Sequence, residues 1–387
     1  MIQNLKLYPL LNGSGSSSLL VKLWTKSGVY SAKVPAAGLD GAGIRKNSAI
    51  FSSLRPNFIG LNEEDWASFD SFLSEMNPQG AMDHSLSLAL SLACARAATQ
   101  NELWRLRGAG KTFPYIMGTV ALGKDWKEFV LIPHRESNIQ GAFHSLREAW
   151  KVAGDEMKEK GYLAGRTMSG AWLTELSDVE TLYLLSGIAS DWKMRLGVNV
   201  GATSFWDQKS RTYRYGARGN VIKKQLTTDE HMSLISAVAE QYRLWYLEDP
   251  FHSDDNLSHA HLSQKLENTI VSGGDLYSGS LERLKGAAKL SATKAISVDP
   301  AQLYSVSQLA SVCEFARGRG MKVILSRSPQ ETEDNWLADL AVAFSADLLK
   351  LGLAGADNIS KFNRLIEAWE DSPAPRIGLP GGSAAAP

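Results

Sequence analysis

The sequence predicts an α/β protein in which a smaller α+β capping domain precedes a (β/α)₈ barrel. Two observations support this fold class. From about residue 125 onward, short apolar segments rich in β-branched residues alternate with amphipathic helical stretches, which is typical of parallel βαβ units. In addition, the apolar segments end on polar residues at intervals of one strand and one helix. We place the capping domain at residues 1–115, the barrel at 116–370 and a disordered tail at 371–387.

Composition narrows the class of protein before any motif is considered. The 387 residues include 41 basic and 41 acidic side chains, and 44% are hydrophobic, so a globular chain with no net charge is expected. Binding to nucleic acid or to a membrane surface usually needs a basic excess, and neither partner is expected. Cys94 and Cys313 are the only cysteines, which argues against a disulfide framework and fits a cytoplasmic location. No signal peptide or membrane-spanning segment is predicted.

The capping domain is predicted from a hairpin and two helices. The alternating segments 19–25 and 29–35 flank a turn containing Gly28, which indicates a β-hairpin. The preceding run at 12–18, NGSGSSS, is expected to be a flexible polar loop. Helices are expected near 64–76 and 80–106.

Seven barrel strands are predicted, at 128–133, 195–200, 243–249, 269–275, 294–299, 322–327 and 347–352. Helix starts with capping-box spacing follow several of them, at Ser177, Thr227 and Ser305. Six strand segments carry a polar residue at or near the end, namely Asn199, Glu248, Asp275, Asp299, Arg327 and Lys350. Because the C-terminal ends of barrel strands converge on one face, we expect these side chains to surround a common site.

Two other motifs are set aside. Residues 118–125, GTVALGKD, nearly match a phosphate-binding loop, but Asp125 replaces the Ser or Thr that binds metal and no helix is expected to follow. His259 and His261 are two residues apart, and on a helix such residues point to different sides. We expect both to be solvated histidines rather than metal ligands.

Three segments resemble the enolase (phosphopyruvate hydratase) family. YLEDPF at 246–251 resembles the family's Y-I-E-D-P-F. SRSPQETED at 326–334, followed by LADL at 337–340, resembles S-H-R-S-G-E-T-E-D and the A-D-L after it. LLKLG at 348–352 and SKFNRL at 360–365 resemble Q-I-K-T-G and A-K-Y-N-Q-L. Weaker similarity reaches both ends of the chain, so the resemblance implies an enolase-type barrel with its capping domain.

The resemblance also implies a chemistry and a site. The family uses a lysine base and Mg²⁺ held by three acidic residues to remove a proton α to a carboxylate. The metal positions fall here at Asn199, Glu248 and Gly274, with Asp275 one residue later, so Glu248, Asp275 and Asn199 are the candidate ligands of a weakened Mg²⁺ site. The position of the base falls at Asp299.

Other family positions are replaced as well. The general acid falls at Thr167, an active-site histidine at Arg327, the following arginine at Ser328, and a metal-contacting serine at Leu39. The family residues that remain are Glu128, Glu248 and Lys350. The candidate catalytic residues are therefore Lys350, Asp299, Arg327 and Glu128, and the candidate substrate-binding residues are Arg327, Lys350 and Ser328.

Two functions stay open at this point. With base and acid replaced, conversion of 2-phosphoglycerate to phosphoenolpyruvate is not expected. One interpretation is a catalytically inactive homologue that serves as a binding or scaffold protein. The other, slightly favoured because charged residues replaced charged residues, is a rearranged lyase-type site for a small carboxylate or phosphate. An ion pair between Asp299 and Lys350 is a further expectation, and the family resemblance implies a homodimer.

Overall fold

The fold was analysed in a computed structural model, which describes residues 1–36, 38–77, 80–108, 112–216 and 224–378. In the capping domain the strands and helices are β1 (Ile2–Leu11), β2 (Ser17–Thr25), β3 (Val29–Pro35), α1 (Gly41–Phe58), α2 (Trp66–Glu75) and α3 (His84–Ala98). The three strands form an antiparallel sheet in the order β1-β2-β3. Helix α3 packs on this sheet, and 13 of its 15 residues are buried. The predicted hairpin is therefore confirmed.

Fifteen further strands follow in the described chain. They are β4 (Thr112–Phe113), β5 (Tyr115–Leu122), β6 (Glu128–Ile132), β7 (Leu163–Arg166), β8 (Trp172–Thr174), β9 (Arg195–Asn199), β10 (Trp206–Asp207), β11 (Thr212–Tyr215), β12 (Lys224–Leu226), β13 (Tyr246–Glu248), β14 (Ile270–Gly273), β15 (Ala295–Val298), β16 (Lys322–Ser326), β17 (Leu348–Gly352) and β18 (Arg376–Ile377). All seven predicted barrel strands are among them.

Eight of these strands close into a barrel. Their order is β5-β6-β9-β13-β14-β15-β16-β17, and β17 pairs with β5 to complete the circle. Strand β6 runs antiparallel to both of its neighbours, while the other neighbouring strands run parallel. Apolar side chains fill the barrel interior, among them Met117, Tyr246 and Ile324. The polar strand ends are therefore gathered above a packed core, as the sequence predicted.

The helices of the barrel domain pack mainly outside the strands. They are α4 (Ile139–Glu159), α5 (Asp178–Asp191), α6 (Thr228–Gln241), α7 (Asn256–Lys265), α8 (Leu281–Ala288), α9 (Val306–Gly318), α10 (Trp336–Ala343) and α11 (Ala356–Glu370). Ser177 and Thr227 form complete capping boxes, as predicted. Ser305 caps α9 alone, because the Gln308 side chain accepts a hydrogen bond from the Tyr304 backbone instead.

The seam between the two domains is held by the ETED segment at residues 331–334. The Asp334 carboxylate accepts hydrogen bonds from Arg96 of α3 at 2.6 and 3.1 Å and from the Lys33 backbone of β3 at 2.8 Å. The Lys33 carbonyl in turn accepts from the Thr332 hydroxyl at 3.1 Å and from the Trp336 indole at 3.0 Å. A segment that carries much of the family resemblance therefore joins the cap to the barrel.

Several sequence expectations differ from the structure. Strand β1 was not predicted because it is an edge strand in which only Ile2 and Leu5 are buried, and helix α1 was not predicted because only three of its residues are buried. The eighth barrel strand, β5, contains Gly118 and most of the segment that resembled a phosphate-binding loop.

Residues 12–16 form the turn between β1 and β2, and Ser17 and Ser18 are the first residues of β2. The Asn12 carboxamide accepts hydrogen bonds from Ser14 and Ser16 and donates one to the Gln330 carbonyl at 3.1 Å. The loop is therefore shorter than predicted, and one asparagine side chain supplies the hydrogen bonds that organise it.

His259 is buried, so the prediction of a solvated side chain was wrong for this residue. Its Nδ1 donates to the Asp255 carbonyl at 2.7 Å, and its ring packs against Phe251. Burial lowers the pKa of His259 to about 4, so the ring is neutral at pH 7. His261 is exposed, as expected.

At the C-terminus, Arg376–Ile377 pairs in parallel with Thr112–Phe113 within the segment predicted to be disordered, and residues 379–387 lie outside the described residues. Cys94 and Cys313 are both free and buried, which confirms that they form no disulfide. Among the described helices, none is both long and apolar enough to cross a bilayer.

Candidate active site

A cavity of about 630 Å³ opens at the C-terminal ends of the barrel strands. Seven of the eight candidate site residues line it: Glu128, Asn199, Glu248, Asp275, Asp299, Arg327 and Lys350. The structure therefore brings together side chains that lie up to 222 positions apart in the sequence. Ser328 is buried and does not line the cavity, but its hydroxyl hydrogen-bonds to Asp299 behind the surface.

The floor of the cavity is an ion-pair network centred on Lys350. Its ammonium lies 2.7 Å from Glu248 Oε2 and 3.0 Å from Glu128 Oε2. The Tyr246 hydroxyl also donates to Glu248 Oε2, at 2.8 Å. Lys350 thus pairs with Glu128 and Glu248, and the expected pair between Lys350 and Asp299 is not formed. The Asp299 carboxylate is instead held by its own turn, where it accepts hydrogen bonds from the Ala301 backbone at 2.9 Å and from the Gln302 side chain at 3.3 Å.

This network fixes the protonation states of its members. Burial opposes the charge on Lys350, but the two glutamates outweigh it and raise the pKa of Lys350 far above its ordinary value. Burial likewise opposes the charge on Glu128, yet Lys350 and Arg327 lower the pKa of Glu128 to about 2. Lys350 is therefore a fixed cation at neutral pH and cannot serve as a base.

Arg327 borders the same network, and one of its hydrogen-bond donors has no partner among the described residues. Its Nη2 lies 3.8 Å from Glu128 Oε1 and donates to Ser169 Oγ at 3.2 Å, while Nη1 donates to the Ser328 carbonyl at 3.2 Å. Its buried Nε has no hydrogen-bond partner among the described residues. A buried guanidinium nitrogen without a partner is costly, so an acceptor supplied by a ligand would satisfy it.

Asp299 differs from the other candidate carboxylates, Glu128, Glu248 and Asp275, because no Lys, Arg or His nitrogen of the described chain lies within 4 Å of it. Burial and the neighbouring Glu331 carboxylate raise the pKa of Asp299 to about 7. Hydrogen bonds from the Ala301 backbone and the Gln302 side chain lower this pKa but do not outweigh the increase. The pKa of His84, at the start of α3, is raised mainly by its hydrogen bond with Asp83, and the Asp299 charge adds to this increase. A carboxyl group with this pKa can both accept and donate a proton near pH 7.

We expect Asp299→Asn to stabilise the protein above pH 7. The pKa of Asp299 is raised on folding from 3.8 to about 7, so the stability that comes from its protonated form is fully present below pH 3.8 and is lost as the pH rises through 7. An asparagine cannot lose that proton, and after allowance for solvent screening the gain at pH 8 is about 2 kcal/mol.

Urea unfolding of both proteins at pH 4, 6 and 8 measures this effect. The two stability curves should nearly coincide at pH 4 and separate toward pH 8. A constant difference at all three pH values would show that Asp299 does not titrate in this range.

The residues at the three predicted metal positions offer few donors for a metal ion. The described residues contain no group of three or more His, Cys, Asp or Glu side chains placed to hold a metal ion. Glu248 Oε2 already accepts the Lys350 ammonium, Asn199 is uncharged, and the third family position is Gly274. Mg²⁺ needs near-octahedral coordination by hard oxygens, and a cation at 2.7 Å from one ligand repels it. The residues present therefore do not fit Mg²⁺ as the family binds it.

Asp275 does not take over the role lost at Gly274. The buried Asp249 carboxylate accepts backbone hydrogen bonds from Gly274 and Asp275 at 2.8 Å and from Leu276 at 3.3 Å, which holds this turn in place. The Asp275 carboxylate is 40% exposed, and its nearest cation is Lys127 Nζ at 3.9 Å. The backbone shift that would bring Asp275 beside Glu248 is therefore opposed by three hydrogen bonds.

Sequence reasoning missed several residues that line the cavity. Ser14 and Ser16 reach it from the turn of the capping domain, and Ser169 reaches it from the loop after β7. Glu331 was quoted only as part of a motif, yet it is fully buried and lies 3.7 Å from the equally buried Lys361. The family-like spacing of the ETED segment was the available signal for Glu331, whereas nothing in the sequence marked the serines.

The barrel with one antiparallel strand, the α+β cap and the polar site at the strand ends define an enolase-type barrel protein. Comparison with known proteins agrees, because residues 120–374 match the family model described as enolase, C-terminal TIM barrel domain. An enolase of Archaeoglobus fulgidus is 30% identical over 340 residues, covering 82% of this chain and 83% of the relative. Enolases of Pyrobaculum aerophilum and Methanocorpusculum labreanum are 28% and 26% identical, covering 86% and 95% of this chain and 83% and 99% of theirs. The chain belongs to the enolase family.

Proposed function

We propose that this enolase-family protein binds a small carboxylate or phosphate compound at the barrel mouth and transfers a proton to or from it through Asp299. Standard conversion of 2-phosphoglycerate is not part of the proposal, since Asp299 and Thr167 stand where the family has its base and acid. The observation that carries the proposal is that Asp299, with a pKa of about 7, shares an open cavity of about 630 Å³ with the incompletely bonded Arg327.

The proposed role of each residue follows from its charge and its position in the cavity. Arg327 and Lys350 are permanent cations, and Arg327 has the free donor that an anionic group of the ligand would accept from. Asp299 exchanges the proton, and Glu331 behind it keeps its pKa high. A carbanion that forms next to the bound carboxylate would be stabilised by the same cations.

The test is deuterium incorporation from D₂O at the carbon next to the carboxylate, followed by NMR for a panel of small hydroxy, amino and phospho acids. We expect exchange with at least one compound, loss of at least 100-fold in Asp299→Asn, and loss of binding in Arg327→Gln. Turnover of 2-phosphoglycerate in the same preparation is measured by absorbance and should be at background. Binding without exchange in the wild-type protein would contradict the proton-transfer step.

A second candidate is an inactive homologue that only binds a ligand or a partner protein. It is favoured by the floor of the cavity, where Lys350 is already neutralised by Glu128 and Glu248. The same deuterium experiment separates the two, because the inactive homologue binds a compound but exchanges no proton. A homodimer and a cytoplasmic location complete the proposal, and sedimentation equilibrium measures the first of these.

A further inference from the structure

The charges around the cavity are unequal. Three basic residues line it, Lys127, Arg327 and Lys350, against six acidic residues, Glu128, Glu248, Asp275, Asp299, Glu331 and Asp357. A ligand that carries only negative charge would be repelled by this excess of carboxylates. A ligand that also carries a positive group would offset it.

One part of the cavity contains hydrogen-bond acceptors that receive no hydrogen bond from the described residues. Asn199 is 1% exposed, and its Oδ1 has no hydrogen-bond partner among the described residues. Glu248 is its partner in the parallel pairing of β9 and β13, so the two side chains leave neighbouring strands about 4.8 Å apart. Both hydrogen bonds to the Glu248 carboxylate reach Oε2. Its other oxygen, Oε1, therefore remains available beside Asn199.

Gly274 lines the same cavity and has no side chain to crowd this carboxylate. A Cβ atom added at Gly274 would stand only 2.9 Å from Glu248 Oε1 and 3.0 Å from Asp249 Oδ2, so a larger residue there would press on Glu248 Oε1. One uncharged amide oxygen and one carboxylate that is already paired with Lys350 offer little net negative charge to a divalent ion. They suit an ammonium group, which donates hydrogen bonds and carries a single charge.

We propose that the ligand is a small zwitterionic acid whose ammonium group binds Asn199 Oδ1 and Glu248 Oε1, while its carboxylate or phosphate binds Arg327. This inference rests on the proposed function for its anionic half. The ligand itself thus supplies the positive charge that the family takes from its metal. The same arrangement explains how an asparagine can replace an acidic ligand there, since a buried neutral acceptor still satisfies an N–H donor.

Titration calorimetry in EDTA tests the inference with matched pairs that differ only in an ammonium or a hydroxyl group, O-phosphoserine against 3-phosphoglycerate and aspartate against malate. In at least one pair we expect the amino compound to bind about tenfold or more tightly, as a charge-assisted hydrogen bond provides. Asn199→Leu should reduce that ratio to less than about threefold, and Asn199→Asp should increase it. Asn268→Leu, an exposed asparagine at the other end of the barrel, is the matched control and should leave the ratio unchanged.

The outcomes separate this inference from the proposed function. Equal binding within both pairs, abolished by Arg327→Gln, overturns the ammonium site and leaves anion binding intact. If Mg²⁺ in place of EDTA brings the hydroxy acids to the affinity of the amino acids, the positive group is a metal and the inference fails. If no compound binds at millimolar concentration, both fail. Should Asn199→Leu not fold, the increase expected for Asn199→Asp still decides the question.

Discussion

Replacing Lys350 with methionine should cost about 3–5 kcal/mol of unfolding free energy at pH 7, because it leaves two buried glutamates without their shared cation. Glu128 and Glu248 are 13% and 5% exposed, and both lie within 3.0 Å of the Lys350 ammonium. Guanidinium unfolding followed by tryptophan fluorescence measures the loss.

The effect of Lys350→Met should depend on pH with a defined sign. In the wild-type protein the pKa of Glu128 is depressed to about 2, so its contribution to stability is present above its ordinary value of 4.5 and is lost as the pH falls through 2. Without Lys350 both glutamates can take up protons on folding. The loss at pH 4 should therefore be clearly smaller than the loss at pH 7.

Lys151→Met is the matched control for this substitution. Lys151 pairs with Glu148 on the surface of α4, where both side chains are at least one-third exposed, so a change below about 1 kcal/mol is expected. Adding Glu128→Gln and Glu248→Gln to Lys350→Met should restore a large part of the stability. A loss for Lys350→Met as small as that of the control would mean that the network at the cavity floor is not formed.

The second large effect is expected at the seam between the domains. Asp334→Ala removes the carboxylate that receives the Arg96 guanidinium and the Lys33 backbone, and Arg96 is 9% exposed. An arginine left buried without its counter-charge costs about 3–5 kcal/mol. We also expect faster hydrogen exchange in β3 and α3, because both lose their hydrogen bonds to the Asp334 carboxylate.

The neighbouring Glu333 is the control for Asp334. Its carboxylate is 56% exposed and pairs with Lys33 Nζ at 2.8 Å, so Glu333→Ala should cost less than about 1 kcal/mol. Burial raises the pKa of Asp334, but Arg96, the Lys33 backbone and Lys361 together lower it below its ordinary value. The stability that this carboxylate provides is therefore present at neutral pH and is lost in acid. If the two alanine variants are equally stable at pH 7, the seam does not depend on Asp334.

These two predictions distinguish residues that the family resemblance treats alike. Asp334 belongs to its specific ETED segment but lies at the junction of cap and barrel, and Lys361 of the SKFNRL segment donates to three backbone carbonyls. Lys350 and Glu248 belong to equally specific segments and line the cavity. Similarity to a motif therefore identifies the fold, while the contacts decide which of its residues face a ligand.

The strand ends were predictable because they follow from local patterns. An apolar run of five residues that stops at a polar residue predicts both a buried strand and the edge at which Asp299 or Lys350 appears. Strand β1 and helix α1 were not predictable in this way, because few of their side chains are buried and their periodicity is correspondingly weak. The turn at Asn12 depends on hydrogen bonds of one side chain, which composition does not reveal.

The sequence by itself determined the enolase-type barrel and the face on which the candidate site lies, and it predicted that the family's base, acid and third metal ligand are replaced. Only the tertiary structure decided how the remaining charges pair. Lys350 could have neutralised Asp299, but the barrel places its ammonium against Glu248, 102 positions away, and against Glu128. Ion pairs form over a few ångströms in space, and the folded barrel and its turns set those distances independently of separation along the chain. Asp299 was thereby left without a cation within 4 Å in the described chain, at the pKa on which its proposed chemistry depends.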